Sequence, residues 1–99
     1  MTIKKDFLPE VKLKKDHMLV KHDTGNLVMI NSSPRACAKL GIRKGLQVIY
    51  KGKVITMLGI SHDGAGFIKV WYSQDQKDEP VTYITAKNRE QLIEKGVEF

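Results

Sequence analysis

The chain has 99 residues, enough for one domain and too few for a second independent core. Its 41% hydrophobic content supports a packed core rather than disorder, and its formal charge of +6 favours polyanionic partners. The only cysteine, Cys37, excludes an internal disulfide, no apolar run approaches the roughly 20 residues of a membrane span, and Lys4, Lys5 and Asp6 interrupt any leader-like start. These features point to an intracellular protein, cytoplasmic or nuclear, with no membrane association.

Residues 1–16 mix charges with isolated apolar positions (Ile3, Phe7, Leu8, Val11, Leu13), and Pro9 interrupts any helix, so they read as an N-terminal arm. Residues 17–99 read as one small domain. From Met18 to Ile30 the pattern MLVKH, DTGN, LVMI predicts a hairpin, with Asp23, Gly25 and Asn26 supplying the turn. A short helix follows, capped by Ser33, opened by Pro34 and left at Gly41. Its body is too short to hold by propensity, and Cys37 and Leu40, three apart, anchor it in the core.

Leu46 to Tyr50 begins the sheet proper: Leu46, Val48 and Tyr50 share one face, Gln47 and Ile49 the other. Lys51-Gly52 is a tight turn into VITMLGI, which is apolar on both faces, and Gly59 marks a bulge or bend. After the loop SHDGAG, the strand FIKVWY places Ile68, Val70 and Tyr72 on one face and Phe67, Lys69 and Trp71 on the other. SQDQKDEP reads as a polar loop and VTYIT as a strand; Asn88 caps the helix REQLIEK, which Gly96 stops.

Chemistry-bearing constellations are sparse. His17, His22 and His62 are scattered, and no Cys-x-x-Cys spacing provides a metal site. Cys37 is expected to be buried, and Ser32 and Ser33 fit capping better than nucleophilic attack. The DGAG glycines lack the Gly-Lys-Ser/Thr and the long helix of a phosphate loop. The expectation is a non-enzymatic module that needs no cofactor.

Two surfaces stand out instead. Arg35, Lys39, Arg43, Lys44, Lys51 and Lys53 are six cations in a stretch with no acidic residue, a charge pattern suited to nucleic-acid phosphates or an acidic protein or peptide. The face of Phe67, Lys69 and Trp71 could stack bases or form an aromatic groove for a partner peptide. The competing reading has Phe67 and Trp71 close the barrel beneath the N-terminal arm, since a single tryptophan in so small a domain is more often core.

The segment KGLQVIYKGKVITMLGISHDGAGFIKVWY resembles the Src-homology-3-like barrels, including KOW and Tudor-type modules, through Gly45, Val48, Gly52, Leu58 and Val70. Val54 and Ile55 stand where KOW proteins prefer glycine. The resemblance implies a non-catalytic barrel that binds RNA, DNA or peptide. A second likeness, from GNLVMI to VITML, is similar to AbrB-type swapped-hairpin and double-psi barrels through Leu40, Gly41, Ile42 and Gly45. It implies a DNA-binding dimer with Arg35, Arg43 and Lys44 on phosphates, although Leu46 replaces the acidic residue those families often carry. The resulting expectation is a mostly β protein: a small Src-homology-3-like barrel with an N-terminal hairpin, one short internal helix and a C-terminal helix. Its expected role is nucleic-acid binding through a basic edge; the alternative is a protein-interaction module using the aromatic face.

Overall fold

Stretches rich in β-branched and aromatic residues recur from Met18 onward, and the described residues form seven antiparallel strands. The computed structural model describes residues 15–74 and 81–99. The proposed arm over residues 1–16 lies outside the described residues except for Lys15 and Asp16, as does most of the polar loop at 73–80.

Strands β1 (His17–Lys21) and β2 (Leu27–Asn31) form the expected hairpin, with Met18 opposite Ile30 and Val20 opposite Val28. Helix α1 (Pro34–Ala38) starts as its residues dictate: Pro34 occupies the first turn, and the Ser33 hydroxyl accepts the Ala36 N–H at 3.2 Å. Cys37 and Leu40 are fully buried. Strand β3 (Gln47–Tyr50) then pairs with the ten-residue β4 (Lys53–His62) across a two-residue turn. Lys51 and Gly52 have φ of 53° and 77°, the two positive angles that a type I′ hairpin requires.

Strand β4 organises the sheet. One of its edges pairs with β5 (Ile68–Gln74) from Ile55 to His62. The opposite edge is divided: β3 occupies Lys53–Thr56, and β2 joins further on through Asn31 and Ile60. The bulge lies between Met57 and Gly59, as the glycine predicts, and its reason is a close approach. A Cβ on Gly59 would sit 2.6 Å from the Asn31 carbonyl oxygen, so only glycine lets β2 reach β4 without displacement. Strand β6 (Thr82–Ala86) completes the far side against β5.

Asn88 caps α2 (Arg89–Glu94) by accepting the Gln91 N–H at 2.9 Å, and Gly96 follows the helix. The chain then does something the pattern did not announce. Val97–Glu98 forms β7, pairing with Tyr50 and Ile49 on the outer edge of β3.

The sheet does not close into a barrel. Its path runs β1-β2-β4-β3-β7, with β5 and β6 branching from β4. Between the β1 and β6 ends the described residues show a single parallel bridge, His22 to Val81. On the other side, α2 packs against both β6 and β7 and fills the gap that strand pairing would have to cross.

Both faces of the sheet are covered at β5, where Val70, Trp71 and Tyr72 are all buried. The larger core gathers Cys37, Leu40, Val48, Ile55, Met57, Ile60, Val70, Tyr72, Ile84, Leu92 and Val97 under the two helices. A smaller core of Val20, Ile30, Trp71 and Val81 lies between the β1–β2 hairpin and the opposite face. The predicted two-face alternation of FIKVWY therefore holds, but both of its faces meet apolar layers.

Candidate nucleic-acid interface

The six cations all reach solvent. Arg35 and Lys39 are one helical turn apart and share a side of the α1 segment. Arg43 and Lys44 occupy the following loop, which is fixed from within: the Gly45 N–H donates to the Met57 carbonyl at 2.7 Å, and the Leu46 N–H to the Arg43 carbonyl at 3.1 Å. Lys51 and Lys53 sit at the β3–β4 turn, with the Lys51 ammonium 5.2 Å from the centre of the Tyr50 ring. Strand β3, four residues and about 13 Å long at the rise of an extended chain, separates the two groups. The basic run is therefore two poles, four cations around α1 and two at the hairpin tip.

Among the described residues the one basic–acidic side-chain pair within 4.0 Å is His22–Asp23, at 3.0 Å, so none of the six cations has a described carboxylate partner. At the α1 pole a further cation joins. Arg89, from the first turn of α2, donates through Nη1 to the Gly41 carbonyl at 2.6 Å, and its guanidinium lies 3.7 Å from the Phe99 ring centre. Nothing local in the sequence marks Arg89; it reads as an ordinary helix-surface residue until the fold brings Gly41 to it, 48 residues away.

The aromatic face is divided by burial. Trp71 is 2% exposed, sealed beneath the β1–β2 hairpin, and its indole N–H donates to Ser61 Oγ at 2.8 Å. A base or peptide cannot stack on it in this arrangement. Trp71 instead packs against Tyr83 (4.9 Å between centroids) and edge-on against His22 (5.4 Å). Phe67 and Lys69 stay half-exposed, and Lys69 places its ammonium 4.6 Å from the centre of Tyr83. Tyr83 belongs to this face through its pairing with Trp71, a cross-strand neighbour that neither segment reveals alone.

Among the described residues no group of three His, Cys, Asp or Glu side chains converges as a metal site would require. Cys37 is buried, its thiol donates to the Asn31 carbonyl at 3.9 Å, and burial pushes that thiol above the ordinary range. Burial, with Tyr50 and then Asp23 adding to it, likewise raises the Tyr72 phenol. No described helix is long and apolar enough to cross a membrane. An open depression of about 450 Å³ lies on the β3–β4–β7 surface, lined by Gln47, Val48, Ile49, Val54, Glu98 and Phe99.

No family model matches this chain, and neither a curated protein nor a solved structure gives a significant match.

Proposed function

We propose that the protein is a non-enzymatic nucleic-acid-binding module whose affinity comes from its two cationic poles. The observation that carries this reading is the set of six exposed cations, Arg35, Lys39, Arg43, Lys44, Lys51 and Lys53, without a described carboxylate partner. Cations already paired with carboxylates gain less from meeting phosphate, whereas unpaired ones release condensed counterions from the nucleic acid when they bind. Separation into two poles suits a polyanion, whose charge repeats along its length, better than a compact acidic ligand. The loop geometry favours Arg43 and Lys44 as phosphate contacts, because the backbone beneath them is held by β4 and loses little freedom on binding.

An adaptor built around Phe67, Lys69 and Trp71 has less support, since Trp71 is enclosed. A dimeric regulator, the third reading, predicts two copies in solution, and a strict monomer by light scattering removes it.

The deciding experiment is titration of single-stranded and duplex oligonucleotides over a range of salt concentrations. Binding should weaken steeply with salt. Replacing both Arg43 and Lys44 by glutamine should flatten the log K against log salt slope on duplex by about 2. Absence of binding at low salt would refute the reading.

A further inference from the structure

The loop between α1 and β3 carries Arg43 and Lys44 between two glycines with positive φ, Gly41 at 68° and Gly45 at 86°. Its far end is tied to β4: the Gly45 N–H donates to the Met57 carbonyl, and the Met57 N–H donates to the Leu46 carbonyl at 2.8 Å. Its near end is held differently. Ile42 buries its side chain in the larger core, but its N–H shares the Cys37 carbonyl with that of Leu40, at 3.2 and 3.0 Å. The other side of the Gly41–Ile42 peptide, the Gly41 carbonyl, is taken by Arg89 Nη1 at 2.6 Å, a charge-assisted bond. That second hold matters because glycine by itself leaves the peptide plane free to turn. The Arg89 guanidinium carbon also lies 3.7 Å from the Phe99 ring centre, so the planar ion rests on a ring while donating in its own plane. Contact with the loop is close. A Cβ on Gly41 would run into Arg89 Nη1 and stand 3.1 Å from its Cδ.

We infer that Arg89 is a positioning residue for the α1 pole: it fixes the Gly41–Ile42 peptide, and with it the direction in which Arg43 and Lys44 leave the chain, without itself meeting phosphate. This rests on the nucleic-acid reading and deepens it by naming a residue outside the basic run on which that pole depends. The contacts of Arg89 separate it from the six cations. Those reach solvent, whereas Arg89 is half-buried, with one nitrogen on a carbonyl and its plane against a ring. Its charge is spent on neither side by a carboxylate, since among the described residues none lies within 4.0 Å of it. A loop held at both ends before the ligand arrives loses less freedom on binding, and that saving appears directly as affinity.

The test titrates whichever labelled oligonucleotide, single-stranded or duplex, the unaltered protein binds more tightly, by fluorescence anisotropy at several salt concentrations. Arg89→Met keeps an apolar stem and removes the donor and the charge. It should weaken binding about 2- to 12-fold, the ordering cost of one side chain set loose. The slope of log K against log salt should not change. A slope flatter by about 0.9 would mean that Arg89 neutralises a phosphate itself, and would overturn the positioning role. In an Arg43→Gln/Lys44→Gln background the same substitution should cost nothing further, because the side chains it directs are gone. A fully additive loss there, or no loss in the unaltered background, overturns the role while leaving the cationic poles standing. Gly41→Ala displaces the guanidinium from the loop side with its charge kept, and should give a similar loss at unchanged slope; undiminished binding counts against the role. In the free protein, Arg89→Met should speed hydrogen exchange at the Ile42 and Leu46 N–H groups while Trp71 emission, from the other core, stays the same. Unchanged exchange refutes the hold on the loop. If the unaltered protein binds neither kind of oligonucleotide at low salt, the nucleic-acid reading falls and the positioning role with it.

Discussion

Gly59→Ala is the sharpest test of how the sheet is assembled. The added methyl would meet the Asn31 carbonyl oxygen at 2.6 Å and the Ile30 Cδ1 at 3.1 Å. Real Cβ contacts essentially never fall below 3.0 Å, so the carbonyl must retreat by at least 0.4 Å. That carbonyl belongs to backbone, which cannot swing aside as a side chain can. It also sits at the single register pair, Asn31 with Ile60, through which β2 joins β4. Overpacking of this kind costs about 1–3 kcal/mol. In a domain near 100 residues a loss of about 2 kcal/mol lowers Tm by roughly 8–16 °C. Thermal unfolding by circular dichroism measures the shift, and amide exchange locates it. Exchange should accelerate in β1 and β2 before it does in β3. Gly52→Ala serves as the contrast: it meets no atom within 4 Å but has φ of 77°, so its cost of about 1–2 kcal/mol should loosen the β3–β4 turn instead. A Gly59→Ala protein within 0.5 kcal/mol of the parent, a change as small as an ordinary surface substitution, would refute the account of the divided β4 edge.

Three further outcomes follow from the packing. Trp71→Ala should cost about 3–5 kcal/mol by urea unfolding, since it empties the centre of the smaller core; a near-neutral result would mean the indole is not enclosed. Stability should fall at alkaline pH. Cys37 and Tyr72 hold their protons more tightly folded than unfolded, so their contribution is complete below the unfolded values of about 8.5 and 10 and is lost as pH rises through the raised folded ones. A Tm that stays flat or rises from pH 8 to 11 would contradict that sign. Asn88→Ala should remove the acceptor for the Gln91 N–H and cost about 1 kcal/mol, with Asn88→Ser recovering most of it; equal stability of all three proteins in urea would exclude the cap.

What could be anticipated from residue order is mostly what local chemistry decides. The Ser33-Pro34 and Asn88 helix starts, the Lys51-Gly52 turn, the Gly59 bulge and the inward set Val70 and Tyr72 depend on neighbours within a few positions. The arrangement that replaces a barrel does not. β7 is a two-residue strand whose partners, Ile49 and Tyr50, lie almost fifty positions earlier, and no periodicity of length two can announce it. The split edge of β4 depends on Asn31 meeting Ile60, a pairing visible only once the hairpin has docked. The interface divides in the same way. Its cations were legible as charge, but their separation into two poles follows from β3 standing between them. Tyr83 and Arg89 escaped notice because each acquires its place from a ring or carbonyl supplied by a distant strand or loop.

The placement of the aromatic side chains also makes this molecule its own reporter. The single tryptophan lies in the smaller core, while Tyr50 and Tyr72 meet at 5.8 Å beside the larger one. Indole fluorescence therefore senses the docking of the hairpin, Tyr50 and Tyr72 sense the layer beneath the helices, and a Tyr83→Phe background removes the one tyrosine that packs against Trp71. β4 runs through both regions as one continuous strand. Coincident melting of the two signals would mean that this strand binds the halves into one cooperative unit, and an earlier indole transition would give the free energy of undocking the hairpin alone.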